Sequence, residues 1–245
     1  MPRLEVEQLT PKTFEKGAAR ASLYLGDCRK VLPTLPPADY CVITDPPWPR
    51  YHPDERGIEG TYSEEAWRLF EEVIERLPYG VRRIVVILGI HTDPAFLDAI
   101  PRKKWPFQRV IWLRKRVPTK RGPLLVGARV AYLFGQPYVK PNCRVWPGEC
   151  WDDYHPHERR FGHPFPTPYK HAAFLVTHFS TPDQVVLDPF AGSGQIVRAA
   201  LEYGRSAVGI EIDEGRLEEA AKALFETCRA PTLFESLDDS HQTIS

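Results

Sequence analysis

The chain lacks the marks of exported, membrane-spanning and broadly charge-driven proteins. Its longest apolar run, Ile84–Ile90, is far too short to cross a bilayer. The first twenty residues alternate charged and apolar positions without an apolar h-region, so no signal peptide is expected. Five cysteines are an odd number, and no two form a C-x-x-C pair. Without an export signal, that usage points to a reducing, cytoplasmic compartment. Internal repeats and low-complexity tracts are absent, and the composition excludes disorder, collagen-like repeats and coiled coil as the main architecture. Net charge is absent too: 32 basic residues balance 32 acidic ones, which argues against a generally sticky polyanion binder.

What is present fits one large domain, or one domain with an insertion: 245 residues, 42% hydrophobic and 26% charged. The balanced total hides a local asymmetry. Between Arg102 and Arg121 stand nine Lys or Arg residues and no acid. A solvated face is one reading of such a block; a surface that attracts phosphates is the other, and the density favours it. Lys115, Arg116, Lys120 and Arg121 are the candidate nucleic-acid contacts. Prolines concentrate in residues 33–53, 101–123 and 137–168, with periodic segments between them.

Leu23–Gly26, Tyr40–Thr44, Arg83–Gly89, Phe107–Leu113, Val185–Leu187 and Ala207–Ile212 read as strands. Ser63 reads as an N-cap before Trp67, Phe70, Val73, Ile74 and Leu77 at helical spacing. A helix through Ile196, Ala199, Ala200 and Tyr203 should end at Gly204, and Asp213 should cap another reaching Phe225. Residues 117–166 have little clean period and read as an irregular insertion. The alternation predicts an α/β fold: a doubly wound, mainly parallel sheet with helices on both faces.

Two constellations carry chemistry. In the first, a strand ends in Asp188 and runs into Pro189-Phe190-Ala191-Gly192-Ser193-Gly194 before a helix, and the next strand ends in Glu211. Such a turn lets backbone N–H groups approach a ligand, and the second acid can hold ribose hydroxyls. A nicotinamide fingerprint would place glycine where Val197 stands, and a Walker loop would place Lys-Ser/Thr where Gln195-Ile196 stands. A nucleoside cofactor is therefore favoured over a dinucleotide or ATP. The second constellation, Asp45-Pro46-Pro47-Trp48, follows an apolar strand. Two prolines remove N–H donors and leave an acceptor-only surface suited to an amino group, and Trp48 offers a stacking face. A strand-ending turn with a core tryptophan is the plainer alternative.

Together these motifs resemble the amino-group (N6-adenine/N4-cytosine) S-adenosylmethionine-dependent DNA methyltransferases. Thr44-Asp45-Pro46-Pro47-Trp48 is similar to that family's catalytic (D/N/S)PP(Y/F/W) motif, and Leu187–Gly194 to its cofactor loop. The catalytic motif comes first, which resembles the circularly permuted, beta-type arrangement. Leu25-Gly26-Asp27-Cys28 looks like the segment whose acid contacts the cofactor's adenine. His163–Pro168 resembles the HPTQKP-like stretch upstream of the cofactor strand, with Thr167 where lysine is usual and Pro166 where glutamine is. The resemblance implies catalytic roles for Asp45, Pro46, Pro47 and Trp48. It implies cofactor contacts at Asp27, Cys28, Thr167, Asp188, Phe190, Gly192, Ser193, Gly194 and Glu211.

The resemblance further implies a single Rossmann-like methyltransferase domain over residues 1–245, with a catalytic half (22–115), a target-recognition insertion (117–166) and a cofactor-binding half (167–230). Its reaction would move a methyl group to adenine N6 of double-stranded DNA, with the target base flipped out of the helix. N4-cytosine methylation and RNA adenine methylation are the alternatives, and Asp45 favours adenine where serine would favour cytosine. No covalent intermediate is expected, because no cysteine follows a proline. A second copy of the chain and a cognate restriction endonuclease are the further partners the resemblance admits. No metal is expected: Cys143, Cys150, His155 and His157 fit no common zinc spacing, and His91 reads as structural.

Overall fold

The computed structural model describes residues 10–47, 62–90, 92–121, 124–137, 148–152 and 167–230. Among them lie nine strands: β1 (Lys12–Lys16), β2 (Ala19–Leu25), β3 (Tyr40–Thr44), β4 (Val81–Gly89), β5 (Phe107–Arg121), β6 (Leu124–Gly135), β7 (Glu149–Trp151), β8 (Val185–Asp188) and β9 (Ala207–Glu211). The helices are α1 (Cys28–Val31), α2 (Tyr62–Glu75), α3 (Tyr169–Phe179), α4 (Gln195–Glu202) and α5 (Glu214–Arg229). One sheet runs β1-β2-β9-β8-β3-β4-β6-β5-β7. Its centre, β2-β9-β8-β3-β4, is parallel throughout, while β1 and β6 pair antiparallel to their neighbours. The expected doubly wound α/β architecture is present.

Both faces of the central sheet are covered, which is why β3 (Tyr-Cys-Val-Ile-Thr) is buried at every position. Cys41 and Ile43 pack with Val85, Ile87 and the apolar sides of α3, α4 and α5. Tyr40 and Val42 face the opposite way, with Ile84, Val86, Leu88, α1 and α2. Each fully buried aliphatic side chain stabilises the fold by about 1.5–3 kcal/mol. Asp213 caps α5 as expected, accepting from Arg216 N–H at 2.9 Å. After α4, Gly204 (φ 74°) lets Arg205 N–H reach Ala200 C=O while its own N–H reaches Leu201 C=O, a Schellman stop. Helix α2 starts at Tyr62, so Ser63 lies inside its first turn and not before it.

The segment read as irregular is different in its first part. Residues 117–121 and 124–135 belong to a long antiparallel hairpin, β5–β6, whose outer strand also carries β7. Two features hid it. Arg129, Ala131 and Leu133 and the alternate Ala128, Val130 and Phe134 are all buried, so β6 shows no amphipathic period. Pro118 sits inside the register shift between Arg114 and Thr119, where a strand tolerates a missing donor.

Val197, which excludes a nicotinamide fingerprint, has a structural counterpart. A third glycine in such fingerprints lets the helix approach the strand. Here the small residue is on the strand instead: a Cβ at Gly209 would lie 2.7 Å from Val197 Cγ2 and 2.8 Å from Leu23 Cδ2. Gly209→Ala is therefore expected to destabilise the protein by about 1–3 kcal/mol through overpacking. Adding Val197→Ala should recover part of that loss in urea denaturation; full additivity of the two losses would show that the contact is not the cause.

Candidate active site

The carboxyl ends of the parallel strands form one edge of the sheet, and the sequence-derived candidates line up along it. In sheet order, Asp27 follows β2, Glu211 ends β9, Asp188 ends β8 and Asp45 follows β3. From β8 the chain winds outward to β9, and from β3 it winds the other way to β4. The ends of β8 and β3 thus mark the strand-order switch, where open α/β sheets bind ligands. Thr44 Oγ1 donates to Asp188 Oδ1 across this junction at 2.7 Å.

The glycine turn is held at both ends by carboxyls. Asp188 Oδ1 also accepts from Phe190 N–H at 3.1 Å. Glu211 Oε2 accepts from Gly192 N–H at 2.8 Å, while its Oε1 takes Ile212 N–H at 3.0 Å and Asp213 N–H at 2.9 Å. Gly192 (φ 53°) and Gly194 (φ 74°) supply the left-handed backbone that the turn needs. A Cβ at Gly194 would stand 2.6 Å from Ala220 Cβ on α5, so glycine is required there for packing as well. Ser193 is buried and Phe190 half-buried. The carboxamide of Gln195, at the start of α4, is buried, and its Oε1 accepts from no described group.

Asp27 caps α1 and is gripped by Arg29, whose Nε lies 2.9 Å from Oδ1 and Nη2 2.6 Å from Oδ2. That guanidinium holds the Asp27 carboxyl below the usual carboxylate range. Beside it, burial pushes the Cys28 thiol up to about 12, so the sulfur is no thiolate nucleophile at neutral pH. Asp188 is fully buried, and desolvation, with the Asp45 and Glu211 charges adding to it, raises its pKa to about 7.

Asp45 has partners that sequence reasoning missed. Arg129 Nη1 donates to Asp45 Oδ2 at 2.7 Å, and Thr167 Oγ1 donates to the same oxygen at 2.6 Å. Thr167, expected to contact the cofactor, thus has its hydroxyl on Asp45. An arginine within the apolar run Gly127–Ala131 was the available signal for Arg129. Pro46 is buried and Pro47 exposed. Trp48, His91, His163–Pro166, Cys143, His155 and His157 lie outside the described residues; Cys150 is buried in β7. Among the described residues no three His, Cys, Asp or Glu side chains could hold a metal ion, and no helix is long and apolar enough to cross a membrane.

The basic block is split in space. Trp105 Nε1 bonds Val81 C=O at the start of β4, so Arg102, Lys103 and Lys104 lie toward the edge opposite Asp45. Leu113 pairs with Arg129, which pairs with Gly89 at the end of β4, so Lys115 and Arg116 continue past the Asp45 edge. Lys120 and Arg121 follow on the same strand. Arg114 is engaged by Glu149 at 2.6 Å and lies over the Trp112 and Trp151 rings.

Residues 136–222 match a family model described as DNA methylase, of the N6/N4 methyltransferases. YubD of Escherichia coli (strain K12) is 28% identical over 197 residues, 77% of this chain and 83% of that protein. The type II methyltransferase M.ScaI of Streptomyces caespitosus is 41% identical over 73 residues, 27% of this chain and 24% of that protein. TTHA0409 of Thermus thermophilus, solved in complex with S-adenosyl-L-methionine, superposes with a TM-score of 0.59. It is 25% identical, over 86% of this chain and 95% of that one. The fold is that of methyltransferase-type α/β proteins. Within that class, residues 136–222 are similar to the N6/N4 DNA methylases.

The Asp188 shift has a measurable consequence. Between pH about 4, where the unfolded carboxyl ionises, and about 7, the folded protein keeps a proton that the unfolded chain has lost. This contribution to stability is complete below that window and declines as pH rises through it. The decline amounts to up to about 4 kcal/mol at 1.36 kcal/mol per unit. Asp188→Asn retains a carbonyl acceptor for Thr44 and Phe190 but cannot ionise. Urea denaturation from pH 5 to 8 should show a stability loss in wild type that the variant lacks; parallel profiles would contradict the shift.

Proposed function

We propose that the chain transfers a methyl group from S-adenosylmethionine to the exocyclic N6 of adenine in double-stranded DNA, with the base flipped into the site. The observation that carries this reading is the junction at β3 and β8: an acceptor-only Asp45-Pro46 strand end joined through Thr44 to the Asp188 glycine turn at 2.7 Å. The donor set suits the cofactor. Glu211 has a lone-pair direction left for a ribose hydroxyl after its three N–H partners, and the unpartnered Gln195 Oε1 suits an ammonium donor. Phe190, Gly192, Ser193 and Gly194 would hold it beside Asp188, and Asp27 and Cys28 complete the assigned contacts, while the Thr167 hydroxyl is engaged by Asp45 instead. The chemistry supplied when it is bound is an electrophilic methyl on a sulfonium sulfur.

The protein's own part is to prepare the amine. An exocyclic amino group is a weak nucleophile because its lone pair is delocalised into the ring. Asp45 and the Pro46 carbonyl accept its two hydrogens and concentrate the lone pair on nitrogen. Trp48 stacks on the extruded base, and fixed alignment supplies much of the rate. Asp at the head of the motif favours adenine over cytosine. Target recognition is assigned to residues 117–166.

Incubation with unmethylated DNA, followed by digestion to nucleosides and mass detection, should yield N6-methyladenine; N4-methylcytosine would replace the adenine assignment. Asp45→Ala should lower turnover by about 10²–10³-fold with cofactor and DNA affinity retained. Asp45→Asn keeps a carbonyl acceptor and should retain part of the activity. Wild-type rates in Asp45→Ala would refute the site.

Lys115 and Arg116, mid-strand in β5 just past the Asp45 edge, are assigned to phosphates. Reversing both to Glu should weaken DNA binding across all sequences and flatten the salt slope by about 2. Weakening for one sequence alone would make them base readers instead.

A further inference from the structure

Arg129 is only 4% exposed, on a strand whose neighbours are apolar. A guanidinium so buried is tolerated only when paired and hydrogen-bonded. Its position explains the pairing. Arg129 lies opposite Gly89 on β4, and directly opposed residues share a sheet face. Gly89 presents no side chain there, which leaves the guanidinium a path across β4 to the end of β3. Nη1 reaches Asp45 Oδ2 at 2.7 Å and Thr167 Oγ1 at 3.2 Å, while the Thr167 hydroxyl donates to Oδ2 at 2.6 Å. Three residues from β6, from the end of β3 and from the turn before α3 thus close a small ring. Both donors converge on one carboxylate oxygen. Among the described residues, none donates to Oδ1.

We propose that Arg129 is a positioning residue of the methyl-transfer site: with Thr167 it fixes the Asp45 carboxylate through Oδ2 and reserves Oδ1 for the target amine. The inference rests on the methyl-transfer reading and deepens it. An acceptor on a strand end can rotate about its side-chain torsions, and rotation would misdirect the lone pair of the amine. A charge-assisted bond and a short hydroxyl bond, both on Oδ2, remove that freedom before substrate arrives. Arginine suits the task because its guanidinium is always charged and Nη1 carries two N–H groups, one for Asp45 and one for Thr167.

The test separates positioning from structure and from DNA contact. Arg129→Ala should lower kcat by about 30–100-fold, less than the roughly 10²–10³-fold typical of removing a preorganised group outright, because Asp45 itself remains. KM for unmethylated genomic DNA and calorimetric affinity for S-adenosylhomocysteine should each stay within about threefold. Arg129→Lys should recover part of kcat. In an Asp45→Asn background, Arg129→Ala should cost much less than in wild type, because the carboxylate it positions is gone. If thermal melting shows Arg129→Ala unfolded, Thr167→Val takes its place. It removes one donor to Oδ2 and should lower kcat by about 5–10-fold, as for one lost hydrogen bond, with KM unchanged.

Wild-type kcat in the folded variant, a KM effect without a kcat effect, or an equal loss in the Asp45→Asn background would each overturn the proposal. Failure of the underlying reading looks different: Asp45→Ala itself would then turn over at the wild-type rate.

Discussion

The Thr44–Asp188 hydrogen bond joins the two arms of the sheet at the point where the winding reverses. Asp188 is fully buried, and a charge there would be expensive, so its carboxyl rises toward neutrality and is stabilised by two donors, Thr44 Oγ1 and Phe190 N–H. One of those donors comes from the strand leading to Asp45, and the other from the glycine turn. The same buried group therefore sets the spacing between the acceptor end of β3 and the turn that opens α4. The far end of that turn is tied by Gly192 N–H to Glu211, which is itself pinned by the N–H groups that lead into α5.

Four acids stand along this edge, and each is satisfied by different chemistry. Asp27 has a guanidinium fork, Glu211 three backbone N–H groups, Asp188 a hydroxyl and an amide, and Asp45 an arginine and a threonine. Those environments divide the labour within the proposed site. A buried Asp188, its pKa raised to about 7, shapes the backbone; Glu211 keeps acceptor capacity for a hydroxyl; Asp45 is held through one oxygen, Oδ2. The basic surface lies farther along the edge on β5, with Lys115 and Arg116 past the strand position that pairs with Arg129. One hairpin therefore supplies both the proposed phosphate contacts and the cation that holds Asp45.

Much of this was legible in the sequence, for identifiable reasons. Strand ends followed by Asp-Pro-Pro and Asp-Pro-Phe-Ala-Gly-Ser-Gly leave a local signature, because proline and left-handed glycine constrain the backbone wherever they occur. The Gly204 stop and the Asp213 cap were readable on the same ground, since both use hydrogen bonds within a few residues. The central sheet followed from short apolar strands alternating with amphipathic helices. The β5–β6 hairpin was not readable: β6 is buried on both sides, and Pro118 interrupts β5 at a register shift.

The sequence by itself determined the class of fold, the order of its motifs and the side chains with the right chemistry, because those depend on neighbours a few positions apart. Only the tertiary structure decided which of them meet. Arg83 and Arg129 are both arginines in buried strands. Arg83 is taken up by the Phe179 and Gln136 carbonyls, whereas Arg129 reaches Asp45, 84 positions away in the chain. The nine cations between Arg102 and Arg121 looked continuous, yet the length of β5 separates Arg102, Lys103 and Lys104 before it from Lys115, Arg116, Lys120 and Arg121 along it. At about 3.3 Å per residue, an extended strand separates what a sequence lists together. Strand pairing then brings Thr44 to Asp188, and the placing of α3 brings Thr167 to Asp45, residues more than a hundred positions apart in each case.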